Sequence, residues 1–139
     1  MMFVKHYTVN EEHIDVQGIM DGLFYPFYME DCRHDFVNNV LNFSIDDNAR
    51  NGINIVLSEY TIKFLRSLKK GDQFDVTCEI EKDTVTNTSF IIKQTIKIGN
   101  RKYTEGVFTG TCVKSSGGRP FLPEELIRAI EINTTSLGE

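Results

Sequence analysis

Hydrophobic and polar positions change their period along the chain. From Met2 to Asn10 they suggest a short first strand, and Glu11 to Gly18 is a polar segment. Between Leu23 and Asn39 the apolar residues Phe24, Phe27, Tyr28, Phe36 and Val40 fall near i, i+3, i+4 spacing, which predicts the one long helix of the protein. Pro26 suits its first turn, where the missing N–H has no intrahelical acceptor to lose. Phe43 to Gly52 is polar and reads as a loop. Beyond it the period is two. Val56, Ser58, Tyr60, Ile62 and Phe64 alternate with Leu57, Glu59, Thr61, Lys63 and Leu65 up to a break at Lys70, Gly71 and Asp72. Phe74, Val76, Cys78 and Ile80 then interleave with polar residues in the cleanest half-buried strand of the chain. Thr88 to Ile98 alternates again, and Gly99-Asn100 predicts a tight hairpin turn into a strand from Arg101 to Lys114. Within that strand Gly106 and Gly110 mark a bulge or the close approach of another backbone. Leu122 to Ile132, opened by Pro123, Glu124 and Glu125, reads as a short terminal helix. The order predicts an α+β fold, in which a five-stranded antiparallel sheet wraps one helix and the last four strands form a meander.

Composition narrows the class. With 139 residues and no linker or repeat, residues 1–139 read as one domain. Cys32, Cys78 and Cys112 lie far apart with no CxxC spacing, which argues against a disulfide framework and fits a reducing compartment. No apolar stretch approaches the ~20 residues of a membrane span, and the amino terminus lacks the pattern of a signal peptide, so a soluble, cytoplasmic protein is expected. A net charge of −5 disfavours nucleic acid as a partner. His6, His13 and His34 share no metal-ligand spacing, so no metal is expected. Neither a GxSxG elbow nor a GxxxxGK[ST] loop is present.

The informative stretch is Glu12 to Arg33. Asp15 stands three residues before Gly18, and Gly22 lies just ahead of the long helix. The first N–H groups of a helix have no internal acceptors and favour negative charge, so a carbonyl oxygen gaining charge suits that end. Asp15 is then placed to act on the same carbonyl; the alternative is that Asp15 and Gly18 form an ordinary turn. Glu30 and Arg33 are spaced to pair along the helix. Arg66, Lys69 and Lys70, with Lys63, make either a solvated strand end or a site for phosphates. Glu59 faces away from Tyr60 and Ile62, on a solvated sheet face or in a cleft between subunits.

Asp15, Gly18, Tyr25, Glu30 and Arg33 stand as D-x-x-G-x(6)-Y-x(4)-E-x-x-R, and this resembles the hot-dog-fold acyl-CoA thioesterases of the 4-hydroxybenzoyl-CoA thioesterase type. The resemblance continues through Ile55–Asp72, through Asn87–Phe90 with Ser89, and through Gly118–Leu126. It implies the hot-dog fold and hydrolysis of an acyl-CoA to free acid and CoA, with no cofactor beyond the coenzyme A of the substrate. Asp15 would be the nucleophile or the base for a water, and the Gly22 N–H would polarise the carbonyl. Gly18, Tyr25, Glu59, Arg66, Lys69, Lys70 and Ser89 are the expected substrate-binding residues, with coenzyme A or an acyl-carrier protein as the thiol carrier. A homodimer is implied, with a homotetramer as the larger alternative. The sequence departs from the family at His13, Asp21 and Ser67. The competing functions are a hot-dog dehydratase or lyase, with His13 as the proton-abstracting group, and a non-catalytic acyl-CoA binder.

Overall fold

The computed structural model describes residues 2–137. Strand β1 (Phe3–Thr8) leads through a 3-10 turn (Glu11–His13) to helix α1 (Phe24–Asp35), whose last turn loosens into a π-helical turn (Phe36–Val40). Helix α2 (Ile45–Arg50), strands β2 (Ile53–Phe64), β3 (Gln73–Lys82), β4 (Phe90–Ile98) and β5 (Arg101–Lys114), and helix α3 (Glu124–Leu137) follow. All five strands are antiparallel to their neighbours, in the order β1-β3-β4-β5-β2. The fold class is the expected one. Among the described residues no helix is long and apolar enough to cross a membrane.

One sheet face packs on α1. Met29, Cys32 and Phe36 from the helix meet Val76, Cys78, Ile80, Ile92, Ile96 and Phe108 from the strands, all buried. Gly99, with φ +59°, makes the predicted hairpin turn between β4 and β5. The glycines of β5 serve close approach. A Cβ on Gly106 would lie 2.7 Å from the Phe108 ring and 3.2 Å from the Met29 sulfur, so the helix could not seat as it does.

Four expectations are corrected. The last four strands are not a meander: β3, β4 and β5 are, but β2 crosses to pair with β5 at the far edge, and β1 takes the place beside β3. The Phe43–Gly52 segment is not all loop, because Ser44 Oγ accepts the Asp47 N–H at 3.1 Å and caps the short helix α2. The alternation of β2 is broken by a bulge at Ser58: Leu57 opposes Gly110 and Glu59 opposes Thr109. Leu57 therefore shares the helix-facing side with Tyr60 and Phe64, while Val56 lies on the opposite side. Glu30 and Arg33 do not pair. Glu30 meets His34 at 3.5 Å, and Arg33 turns inward to Gln94.

Candidate active site at the start of α1

The segment before α1 is a small hairpin. Asp15 N–H donates to the Ile19 carbonyl at 2.9 Å, and the Gly18 N–H returns to the Asp15 carbonyl at 3.1 Å. Gly18, with φ +84°, occupies the left-handed position that the turn requires. Both oxygens of Asp15 are engaged by Gln17: Oδ1 accepts its backbone N–H at 2.7 Å and Oδ2 its side-chain amide at 3.1 Å. An ionised carboxylate offers about four lone-pair sites, so half of its capacity stays open. The turn named as the alternative is present, and it holds the carboxylate in place.

The returning arm of the hairpin is stitched to the segment after β2. Met20 N–H donates to the Leu68 carbonyl at 2.8 Å, and the Leu68 N–H donates to the Tyr25 hydroxyl at 3.0 Å. Burial raises the Tyr25 hydroxyl pKa, the Leu68 N–H opposes this, and the nearby Asp15 carboxylate adds to the rise. Asp21 starts α1. Its carboxylate accepts the Leu23 N–H at 2.9 Å, its carbonyl accepts the Phe24 N–H at 3.0 Å, and its own N–H goes to the His13 carbonyl. Gly22 sits between these bonds. Among the described residues, nothing in the chain accepts its N–H.

Gly22 lines a pocket of about 260 Å³ together with Met20, Tyr25, Phe64 and Arg66. Leu65 and Arg66 also line a larger open cleft, about 810 Å³, together with Asn100, Arg101 and Lys102. The structure therefore brings Asp15, Gly18, Gly22, Tyr25 and Arg66 to one end of the sheet. Lys69 lies on the same stretch, where Ile19 bridges to it, and its N–H donates to Asp72. Lys70 is drawn aside into an ion pair with Glu11 at 2.8 Å.

The sequence of the Thioesterase-like superfamily matches residues 9–130. The chain belongs to that superfamily. Over 72 residues it is 33% identical to the acyl-acyl carrier protein thioesterase ATL3 of Arabidopsis thaliana, a match that covers 52% of this chain and 37% of the relative. The chain thus spans little more than a third of that relative's length. Two solved structures share the fold. The DHNA-CoA thioesterase of Staphylococcus aureus aligns with a TM-score of 0.82 at 17% identity, over 99% of this chain and 91% of that one. The hypothetical protein SAV2348 of Staphylococcus aureus, solved in complex with CoA, aligns with a TM-score of 0.86 at 18% identity, over 97% and 85%.

On this thioesterase-like frame Gly22, Tyr25 and Arg66 line the pocket, Asp15, Gly18, Lys69 and Lys70 lie on flanking segments off its walls, and Glu59 and Ser89 stand farther away. Glu59 is exposed beside the β2 bulge, on the sheet face turned away from α1. Ser89 is buried at the opposite end of the sheet, where its hydroxyl donates to Asp83 at 2.8 Å and closes the β3–β4 loop. His13 is also committed. Its ring stacks on Phe24 at 3.8 Å, and Nδ1 hydrogen-bonds the Tyr28 hydroxyl at 2.9 Å. Sequence reasoning missed Arg101 and Lys102, which reach the cleft only because the β4–β5 hairpin folds beside Arg66. Among the described residues no group of His, Cys, Asp or Glu is arranged to hold a metal.

Proposed function

We propose that the protein hydrolyses an acyl-CoA thioester to the free acid and CoA. The observation that carries this reading is the Gly22 N–H, without an acceptor among the described residues, on a residue that lines a pocket beside the Asp15 hairpin. In this reaction the thioester carbonyl accepts the Gly22 N–H, and the adjacent positive end of α1 favours the charge that develops on oxygen. The Asp15 carboxylate either attacks the carbonyl carbon or takes the proton of an attacking water. The tetrahedral intermediate then expels the thiolate, which gives the free acid directly when water attacks and, when Asp15 attacks, an acyl anhydride on Asp15 that water hydrolyses to the free acid and the carboxylate. One such backbone donor is worth ~3–4 kcal/mol of transition-state stabilisation. Thiolate is a good leaving group, so a strong general acid is not obligatory.

Coenzyme A is the thiol carrier we favour. Arg66, Arg101 and Lys102 line the cleft that adjoins the pocket and offer charge-assisted hydrogen bonds to phosphates. Solved neighbours in complex with CoA or named as CoA thioesterases support the same choice. The dehydratase reading has less support, because the His13 ring is held between Phe24 and Tyr28. The working unit is at least a homodimer: β2 is an edge strand whose Val56, Leu57, Tyr60 and Phe64 are exposed, an apolar surface that calls for cover. The three free cysteines, all buried, suit the cytoplasm.

The test is thiol release over a panel of short, long and aromatic acyl-CoAs. We expect turnover that falls ~100-fold or more in Asp15→Asn with the circular dichroism spectrum unchanged. Near-normal turnover in that variant would remove Asp15 from the mechanism, and no thiol release from any acyl-CoA would leave a binding protein.

A further inference from the structure

Arg33 is a buried cation without a carboxylate. It is only 6% exposed, in the interior between α1 and the sheet. Its guanidinium lies 4.3 Å above the Phe108 ring, and Nη1 donates to Gln94 Oε1 at 3.0 Å. The Gln94 amide is fixed in turn, because its nitrogen donates to the Met29 carbonyl at 2.9 Å. The nearest acid along the helix, Glu30, lies at the surface, 3.5 Å from His34. Burial of a charge is costly, and here it lowers the Arg33 pKa although nearby groups, Glu30 among them, oppose this. A guanidinium carries five N–H donors, and Gln94 receives one of them.

The remaining donors face a space. Arg33 lines a cavity of about 130 Å³ between α1, α2 and β2, walled otherwise mainly by Val37, Ile55, Leu57, Phe90 and Ile92. An apolar cavity of ~150 Å³ takes one benzene ring, so this volume suits the end of a small molecule. The cavity and the Gly22 pocket have no wall residue in common, but both lie where α1 residues face β2 residues, Tyr25 with Phe64 at one and Arg33 with Leu57 at the other. Phe64 of β2 packs on Tyr25 at 5.2 Å near Gly22, Tyr60 packs on Phe108 beside Arg33, and Leu57 reaches the cavity wall. From Gly22 to Arg33 the chain advances ~16 Å at ~1.5 Å per residue. Twelve carbons joined by ~1.5 Å bonds extend to ~14 Å.

We infer that this cavity receives the far end of an elongated acyl group, and that Arg33 selects acyl groups carrying an oxygen at that end, such as a terminal hydroxyl or carboxylate. The identity of the ligand as an acyl thioester rests on the function proposed above. The capture of an oxygen-bearing chain end by Arg33 does not. A purely hydrocarbon end seated there would displace water from the guanidinium donors without replacing its hydrogen bonds, whereas an oxygen replaces them. Only Arg33 among the cavity walls supplies such donors from the interior, since Glu30 and His34 lie at the rim.

Two measurements test this. The first compares kcat/KM for dodecanedioyl-CoA, 12-hydroxydodecanoyl-CoA and dodecanoyl-CoA. The wild type should favour the two oxygen-bearing substrates, and Arg33→Met should erase that preference, a loss of roughly 10–100-fold confined to them. An equal effect on all three substrates overturns the inference. The second is independent of hydrolysis and uses dodecanedioate as the probe, followed by the methyl resonances of Val37, Ile55, Leu57 and Ile92. Dodecanedioate should shift those methyls in the wild type and do so far more weakly in Leu57→Trp, which fills the cavity while retaining Arg33, so a fold defect in Arg33→Met does not block the test. Absent methyl shifts in the wild type overturn the site even if the protein cleaves thioesters. Methyl shifts in a protein that cleaves none uphold the site and sink the hydrolase reading alone.

Discussion

The hydroxyl of Tyr25, on the first turn of α1, accepts the backbone N–H of Leu68 at 3.0 Å. Leu68 is fully buried, and its carbonyl receives the Met20 N–H from the other side. One residue thus links the Asp15 hairpin, the start of the helix and the segment that carries Arg66. Tyr25→Phe keeps the ring and removes the acceptor, leaving a buried N–H without a partner. We expect a loss of ~1–3 kcal/mol in denaturant unfolding, with the slope unchanged. An unaltered midpoint would show that Leu68 finds another acceptor.

Gly22 separates a backbone role from a side-chain role. A Cβ there would meet nothing closer than the Phe64 ring at 4.0 Å, so Gly22→Ala fits and keeps the N–H. Gly22→Pro removes the N–H at the second position of the turn that the Phe24 N–H closes on the Asp21 carbonyl, a position that proline favours. Turnover should be near normal in the alanine variant and ~100–1000-fold lower in the proline variant, with both folded by circular dichroism. Equal activity in the two would exclude this N–H as the oxyanion donor.

The cleft cations should act on binding. Replacing Arg66, Arg101 and Lys102 together by Ala should raise KM for acyl-CoA more than it lowers kcat, because the phosphates lie away from the reacting carbonyl. The effect should shrink as salt screens the charges. An unchanged KM at low salt would return these residues to a solvated surface.

Acid should weaken one tie between β1 and α1. The Asp31 carboxyl pKa is held below its ordinary value of 3.8, first by the hydrogen bond from the Tyr7 hydroxyl at 2.5 Å and then by Lys5 at 3.0 Å. A carboxyl depressed in the folded state contributes stability above its unfolded pKa and loses it as the pH falls through the folded value. Asp31→Asn should therefore lower Tm at neutral pH, and the gap between variant and wild type should close on acidification. A gap that is constant with pH would mean that packing, not charge, is what Asp31 supplies.

The edge strand predicts assembly. Light scattering should give a mass at least twice the 15.9 kDa of the chain, and Val56→Lys on the exposed side of β2 should lower it. A fully active monomer would refute a dimeric working unit.

Most elements were legible because their cause is local. The core face of β3 shows as Phe74, Val76, Cys78 and Ile80 at alternate positions, and a pleated strand has no other way to bury them. Gly99-Asn100 marks its turn because a hairpin needs φ above zero there. The Asp15–Gly18 turn and the Gly22 position were equally local, since turn and helix-start chemistry depend on neighbours within a few residues. What stayed hidden depends on partners distant in sequence. Nothing in Ile53–Phe64 announces that it pairs with β5 rather than β3, or that Ser58 is bulged out of register.

By itself the sequence determined the five strands, helices α1 and α3, the layer class and the turn that leads into α1, because periodicity, turn propensity and helix capping are short-range effects. The tertiary structure alone decided which cations share the cleft with Arg66, that Ser89 serves a loop at the far end of the sheet, and that Arg33 turns away from Glu30 to meet Gln94 over the Phe108 ring. An exposed helix pair and a buried cation look alike at i, i+3 spacing. Only the packing of α1 on β4 and β5 distinguishes them, since burial, not spacing, sets the partner of a charge.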